Sequence, residues 1–141
     1  MANVRDLLAK KGAEFWSVPP DASLQQAIEL LAEKDIGAVA VLDGICLVGI
    51  LSERDCVRRA MLPEKSAAEL RAGEVMTPTV IFARPDFTLR ACLAIMTENH
   101  IRHLPVLEDG KLTGMITLGD VVKEIISRQM DNDQQQDDLI V

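Results

Sequence analysis

The chain contains an internal repeat. When residues 20–59 are moved forward by 65 positions they align without a gap on residues 85–124, and eleven of the forty aligned residues are identical. The match is clear at the end of the segment, where Gly49–Asp55 falls on Gly114–Asp120. A unit of this length buries too little surface to be stable alone, so the two copies are expected to pack against each other. Any ligand is then expected in the clefts between them.

Each copy has the same order of local patterns. A helix with apolar residues at helical spacing begins at Ser23 and again at Thr88. Two short apolar runs joined by an Asp-Gly turn follow and predict a hairpin, and a second amphipathic helix comes next. A brief strand is predicted before each first helix, at 14–18 and 79–83. The predicted hairpin strands are 39–42, 47–51, 104–107 and 112–116.

These patterns predict an α+β fold in which a β-α-β-β-α unit occurs twice. We place the first copy at residues 4–62, a linker at 63–73, the second copy at 74–130 and a tail at 131–141. The tail is polar, acidic and without periodicity, which predicts a disordered end that contributes to no core. With 141 residues, 48% of them apolar, the chain has the size and composition of one globular domain.

Composition and charge argue against several classes of partner. The net charge of −7 and the aromatic content of 3% do not suit nucleic-acid binding. No apolar run approaches the roughly 18 residues of a membrane span, and no signal-peptide pattern opens the sequence, so we expect a cytoplasmic protein without a membrane partner. Cys46, Cys56 and Cys92 fall at positions patterned as core and are expected to remain reduced thiols.

Catalytic and metal sites have little support in the sequence. No nucleophile, base and orienting acid occur at an interpretable spacing, so we do not expect an enzyme. His100 and His103, together with Cys92, could suggest zinc, but they lack the Cys-x-x-Cys partner that a zinc site of this kind uses. We therefore predict no metal requirement.

The duplicated unit resembles a known family. The unit itself, the Pro-Asp-x-Ser/Thr-Leu sequence that begins each first helix, and the Gly-x-x-Ser/Thr-x-x-Asp motif that ends each hairpin are similar to the cystathionine-β-synthase (CBS) domain pair, over about Val4 to Met130. The resemblance implies a pseudo-twofold pair, or Bateman module, whose clefts bind adenosine-containing ligands such as AMP, ADP, ATP, NAD(H) or S-adenosylmethionine. It also implies a regulatory, signal-transducing role, a disc-like homodimer and a downstream protein that the sequence does not identify.

The hairpin-end motifs allow two interpretations. Ser52 and Thr117 stand where a strand turns into a helix, so free backbone N–H groups and the helix dipole favour an anion there. Asp55 and Asp120 follow one turn later and can accept hydrogen bonds from a ribose diol. In the resembled family the matching Asp holds ribose. The alternative is that each Ser/Thr and Asp only forms a helix-capping box, and both roles can coexist.

The two copies differ in their cationic residues. Arg54 precedes the motif Asp of the first copy, whereas Gly119 holds that place in the second. Conversely, Arg102 and His103 stand at the start of the second hairpin, where the first has Gly and Ala. Arg54 can clamp a phosphate or be a solvated surface charge. His103 can contact phosphate, with a pKa near neutrality that makes the contact pH-sensitive, or be a partly buried hydrogen-bonding residue.

An adenine ring needs a flat apolar slot. The resemblance implies that its walls come from both copies: Thr77, Pro78 and Ile101 of the second, and Ala13, Ile36 and Ala38 of the first. Trp16 is the only tryptophan and can stack on a base, although a lone aromatic residue in a strand is more often core.

Two functions from different classes follow. The first is an adenine-nucleotide sensor, in which a ligand stabilises one arrangement of the copies and a partner protein responds to that arrangement. The second is a ligand-free structural or protein-interaction module, in which the motif aspartates only cap helices.

Overall fold

Both copies adopt the predicted α+β order in the computed structural model, which describes residues 2–62 and 65–140. The elements leading to and forming the first copy are α1 (Val4–Lys11), β1 (Ser17–Val18), α2 (Leu24–Lys34), β2 (Ala38–Asp43), β3 (Cys46–Ser52) and α3 (Glu53–Ala60). Those of the second are α4 (Ala72–Val75), α5 (Leu89–Glu98), β4 (His103–Glu108), β5 (Lys111–Thr117) and α6 (Leu118–Ile140).

The two hairpins are equivalent in register. β2 pairs antiparallel with β3, β4 pairs antiparallel with β5, and each hairpin has a register shift at the corresponding place, between Val41 and Leu42 and between Val106 and Leu107. Both glycines of the Asp-Gly turns have positive φ, as a tight turn requires. The four predicted hairpin strands are therefore confirmed, each extended by one residue at either end.

The strand predicted before each first helix is shorter than predicted in the first copy and absent in the second. In the first copy only Ser17 and Val18 pair with β2, in parallel. In the second copy residues 79–83 form no strand, and Ala83 makes a single bridge to Val106. The cause lies just before this segment, because Thr77 is hydrogen-bonded to Ile50 of the first copy. The chain must cross from one copy to the other within a few residues, which leaves no length for a strand.

The short helices α1 and α4 exchange places between the copies. Val4 and Leu7 of α1 are buried in the core of the second copy, with Leu89, Met96 and Ile116 among their neighbours. The first copy's core contains Leu70 and Ala72, which are buried with Val39, Val41 and Leu51. Each copy thus completes its core with the helix that leads into the other, and the segment predicted as a linker is part of a core. Positions 63 and 64 of that segment lie outside the described residues.

Two matched glycines make this exchange possible. A Cβ on Gly49 of β3 would collide with the Met76 side chain and meet the Thr77 carbonyl oxygen at 3.0 Å. A Cβ on Gly114 of β5 would lie 3.0 Å from both methyl groups of Leu8. The segment leading into each copy therefore crosses closely over the hairpin of the other.

Helix α6 corrects the prediction of a disordered tail. Its helical backbone continues to Ile140, so residues 131–140 are helical, and only Val141 of the predicted tail lies outside the described residues. The sequence from 120 to 140 contains neither glycine nor proline, so nothing in it stops a helix that the core-facing residues have started. Among the described helices none is long and apolar enough to cross a membrane.

Candidate functional site

The hairpin-end motifs form capping boxes in both copies. The Ser52 N–H donates to Asp55 Oδ2 and the Asp55 N–H donates to Ser52 Oγ, both at 3.1 Å. The Thr117 N–H donates to Asp120 Oδ2 at 2.9 Å, and the Asp120 N–H donates to Thr117 Oγ1 at 3.0 Å. The capping interpretation is confirmed. It occupies only one oxygen of each carboxylate, because within the described part of the chain neither Oδ1 accepts a hydrogen bond.

The start of each hairpin lies against its end. Ala38 pairs with Ser52, and His103 pairs with Thr117. The first N–H of the following helix reaches back in both copies, since Glu53 donates to the Gly37 carbonyl and Leu118 to that of Arg102, each at 2.9 Å. Because of these bonds, the residues predicted from the hairpin starts do lie beside the motifs. We name the region around Asp55 the first cleft and the region around Asp120 the second cleft.

Ile36 and Ile101 lie at corresponding places, just before the hairpins. Both are half-buried, and each packs against the core of its own copy. Their side chains can therefore offer an apolar edge, as the resemblance implied, while remaining fixed by the core.

His103 lies where the two copies meet. A Cβ on Gly37 would be 2.8 Å from His103 Cε1 and 2.9 Å from Nε2, so the absence of a side chain at Gly37 makes room for the imidazole. The pKa of His103 is lowered mainly because burial disfavours the charged ring; Glu53 and Asp120 oppose this shift, and Arg102 and Lys11 add to it. Burial therefore favours the uncharged form of the His103 ring.

Lys11 is a site residue that the sequence did not reveal. Its Nζ lies 2.7 Å from Asp120 Oδ2 and 2.7 Å from the Met115 carbonyl oxygen. Burial alone would raise the pKa of Asp120, but the hydrogen bonds from Lys11 and Thr117 outweigh it and the pKa falls below its ordinary value. The only signal in the sequence was a pair of lysines before Gly12, which is common at helix C-termini and specifies no partner.

The segments that cross between the copies border the two clefts. Thr77 exchanges two backbone hydrogen bonds with Ile50, at 2.8 and 3.1 Å, and Ile50 lies two residues before Ser52 in β3. Pro78, the residue after Thr77, is exposed. Ala13 is likewise exposed, two residues after Lys11. The residues predicted as adenine walls thus divide between the clefts.

Arg54 and Arg102 are exposed, and neither side chain makes a hydrogen bond or an ion pair within the described residues. Gly119, at the position matching Arg54, is exposed as well, and open space surrounds it apart from the Thr117 hydroxyl. The first turn of α3 thus carries a cationic side chain of its own, whereas the matching position of α6 does not. The predicted inequality in side chains persists in the fold.

Other candidate residues are placed differently from the prediction. Trp16 is partly exposed, with the Lys34 ammonium 4.3 Å from its ring centroid, rather than in the core. Cys46 is exposed, contrary to the core pattern, whereas burial raises the pKa of Cys56 and of Cys92 to about 11. No three His, Cys, Asp or Glu side chains within residues 2–62 and 65–140 form a group suited to a metal ion.

One open groove lies away from both motifs. Its volume is about 630 Å³, and it runs between the turn of the second hairpin and α1, with Arg5, Phe82 and Arg84 along its walls. None of the predicted ligand-binding residues is among those that line it. Its volume alone is no reason to place the ligand there, because no residue of the duplicated hairpin-end motifs lines this groove.

Sequence comparison agrees with the fold and the motifs. The CBS domain matches residues 4–62 and, a second time, residues 72–127. The chain therefore belongs to the CBS domain family and carries two such domains, as the resemblance indicated.

Individual relatives span most of the chain. A protein with CBS domains from Burkholderia ambifaria is 41% identical, with a TM-score of 0.86, and the match covers 91% of this chain and 96% of that one. The structure of CBSX2 in complex with AMP is 27% identical, with a TM-score of 0.74, covering 92% and 99% of the two chains. The mitochondrial CBS domain-containing protein CBSX3 of Arabidopsis thaliana is 28% identical; the match covers 87% of this chain but only 64% of CBSX3.

Proposed function

We propose that the protein is a regulatory module that binds an adenosine-containing ligand, with AMP, ADP, ATP or NAD(H) favoured and S-adenosylmethionine as a further candidate. The observation that carries this proposal is the duplicated capping box, which fixes Asp55 and Asp120 through Oδ2 and leaves Oδ1 without a partner in the described chain. A carboxylate held in this way is pre-oriented to accept hydrogen bonds from a ribose diol. The AMP bound by the related CBSX2 supports the same ligand class.

The phosphate is expected at the helix starts. In the first turns the amides of residues 53, 55, 118 and 120 already bond within the chain, so the amides of Arg54 and Gly119 are left for an anion, which the helix dipole also favours there. In the first cleft the exposed Arg54 adds a guanidinium that can bind phosphate in a bidentate manner. Arg102, exposed at the start of the second hairpin, offers a cation beside the second motif.

The regulatory output requires a second chain. The later helices of both copies carry exposed apolar side chains: Val57, Met61, Ile126 and Met130. Such residues are typical of a protein interface, and we propose that they form a homodimer whose geometry a downstream protein recognises. Light scattering should find a dimer that Met61→Glu together with Ile126→Glu disrupts. Ile45→Glu, which places the same charge on an exposed isoleucine in a hairpin turn, should leave the dimer intact.

A ligand-free interaction module is the second candidate. The capping boxes favour it, because they give the motif residues a structural role that needs no ligand. Under this alternative Asp55→Ala reduces stability by about 1 kcal/mol, Asp120→Ala reduces it by more because Lys11 also loses its partner, and neither variant changes anything else.

Thermal unfolding with and without ligand distinguishes the two candidates. AMP, ADP, ATP, NAD, NADH and S-adenosylmethionine are added separately, and a ligand at about 100 times its dissociation constant should add roughly 2.7 kcal/mol of stability. Asp55→Ala and Asp120→Ala should each remove part of that gain. Asp6→Ala is the matched control, because Asp6 forms a capping box with Asn3 at the start of α1, away from the motifs. If no ligand stabilises the protein, the sensor proposal is wrong.

A further inference from the structure

Helix α1 is tied to α6 by two adjacent lysines. Lys10 Nζ lies 3.0 Å from Glu124 Oε2, and Lys11 Nζ lies 2.7 Å from Asp120 Oδ2. The two lysines have similar chemistry but different surroundings. The Lys10 side chain is 62% exposed, whereas that of Lys11 is 28% exposed and reaches a carboxylate of the hairpin-end motif.

The first cleft has no such cation on its carboxylate. Within the described residues Asp55 bonds only to its capping partner Ser52. The segment that borders this cleft contributes Met76 and Thr77 instead of a lysine. The clefts thus share the carboxylate and the capping box but differ in whether an ammonium group already neutralises that carboxylate.

The position of Lys11 is restricted by the packing of its helix. Val4 and Leu7 are buried in the second core, so α1 cannot leave without exposing them. Only the side chain can move. Of the three donors on the ammonium, two are used, by Asp120 and by the Met115 carbonyl, and the third has no partner in the described chain.

We propose that Lys11 determines ligand selectivity in the second cleft, making that cleft prefer adenosine ligands that carry phosphate over uncharged nucleosides. The inference rests on the proposed function. A nucleoside must share Asp120 with Lys11 and offers the ammonium nothing in return. A phosphate gives the ammonium a second anionic partner through its remaining donor, so the ligand and Asp120 can be bound together. Gly119 gives α6 no cation of its own at the position of Arg54, and Lys11 is the cation that contacts Asp120, so we treat Lys11 as the counterpart of Arg54.

The test compares AMP with adenosine by isothermal titration calorimetry. Asp55→Ala serves as the background, so that the second cleft is measured alone, and Lys11→Met or Lys10→Met is added to it. Lys11→Met should lower the AMP-to-adenosine affinity ratio by about tenfold or more, the amount expected for one charge-assisted hydrogen bond. Lys10→Met removes the same charge one residue away and should leave the ratio unchanged. Lys11→Arg keeps the charge and should retain most of the preference, which separates selectivity from any loss of folding.

The outcomes are separable from those of the proposed function. If the ratio is unchanged by Lys11→Met, or if both ligands bind more tightly by the same factor, Lys11 only occupies Asp120 and the selectivity inference is wrong. If Asp55→Ala abolishes all binding, the second cleft is not a site, and the inference fails while the sensor proposal stands. If the wild-type protein binds neither ligand and none of the other adenosine ligands, both proposals fail.

Discussion

The two clefts share one backbone and differ in charge. In each, a capping box fixes the motif carboxylate through one oxygen, and the start of the hairpin lies beside it. The second cleft then receives Lys11 on Asp120, whereas Asp55 keeps only its capping bonds and has an exposed Arg54 next to it. The matching residues of the two copies therefore set the geometry, and the residues that differ or that lie outside the duplication, Arg54 and Lys11, set the electrostatics. The comparison yields predictions about what the copies share and where they diverge.

The largest effects should come from the cores, where the copies are alike. Leu7→Ala removes a buried leucine from the core of the second copy, although Leu7 precedes the first copy in the chain. Leu70→Ala removes one from the core of the first copy, although Leu70 lies in the segment that leads into the second. Each should lower the free energy of unfolding by about 2–5 kcal/mol. Urea unfolding followed by circular dichroism and by Trp16 fluorescence measures this. Leu62→Ala, at a half-exposed leucine, is the control and should cost far less. Separate transitions by the two probes would show that the copies do not share one folding unit.

A smaller and unequal effect is expected at the matched glycines. In Gly49→Ala the new methyl meets the Thr77 backbone oxygen as well as Met76, and a backbone atom cannot move aside. In Gly114→Ala the methyl meets only the flexible end of Leu8. Overpacking should therefore destabilise Gly49→Ala by about 1–3 kcal/mol and Gly114→Ala by less. Equal unfolding free energies for the two variants would contradict the closer crossing over the first hairpin.

Replacing the capping aspartates should have smaller effects on stability than the glycine variants, and these effects should differ between the copies. Asp55→Ala and Asp6→Ala each remove a capping box and should cost about 1 kcal/mol. Asp120→Ala also leaves Lys11 without its carboxylate and should cost more than either. Thermal unfolding without ligand measures this difference. If Asp120→Ala is no more destabilising than Asp55→Ala, the Lys11 bond contributes nothing to stability.

Low pH should reduce the stability of the second copy, because its ion pairs Lys10–Glu124 and Lys11–Asp120 are lost when the carboxylates are protonated. The hydrogen bond from Lys10 is the main cause of the lowered pKa of Glu124, and the pKa of Asp120 is lowered against the effect of burial by Lys11 and Thr117. A carboxyl group with a lowered folded pKa stabilises the fold above its unfolded value, near 4, and this stabilisation is lost as the pH falls through the folded pKa.

Lys11→Met should therefore lose less stability than the wild type between pH 7 and pH 3, by about 1 kcal/mol or less. Lys123→Met is the control on the same helix, because Lys123 forms no ion pair within the described residues. An unchanged pH dependence in Lys11→Met would contradict the assigned cause.

Local patterns predicted much of this fold, and long-range contacts were what they missed. Capping residues, the period of the apolar residues and the Asp-Gly turns act within a few residues, so the helices and hairpins could be predicted. The exchange of α1 and α4 between the copies could not be predicted. The alignment of the copies breaks there, with three more residues between Asn3 and Ser23 than between Arg71 and Thr88, although the bridges match: Asn3 bridges to Thr88, and Arg71 bridges to Ser23.

The same limit applies to the site. Asp55 and Asp120 were found because they are duplicated, whereas Lys11 lies outside the duplicated segment and reaches Asp120 across 109 positions. The placement of His103 on Gly37 explains why its pKa is lowered, and that contact between copies has no local signal. Differences within the aligned segments, such as Arg54 against Gly119, could be predicted, whereas contacts from outside those segments, such as that of Lys11, could not.

The most direct measurement is the stoichiometry of AMP binding by calorimetry in the wild type, Asp55→Ala, Asp120→Ala and the double variant, with Asp6→Ala as the capping control. Two carboxylates pre-oriented for ribose predict two sites per chain, one remaining site in each single variant and none in the double variant. Asp6→Ala should bind as the wild type does. AMP binding that survives in the double variant would contradict the assignment of both clefts.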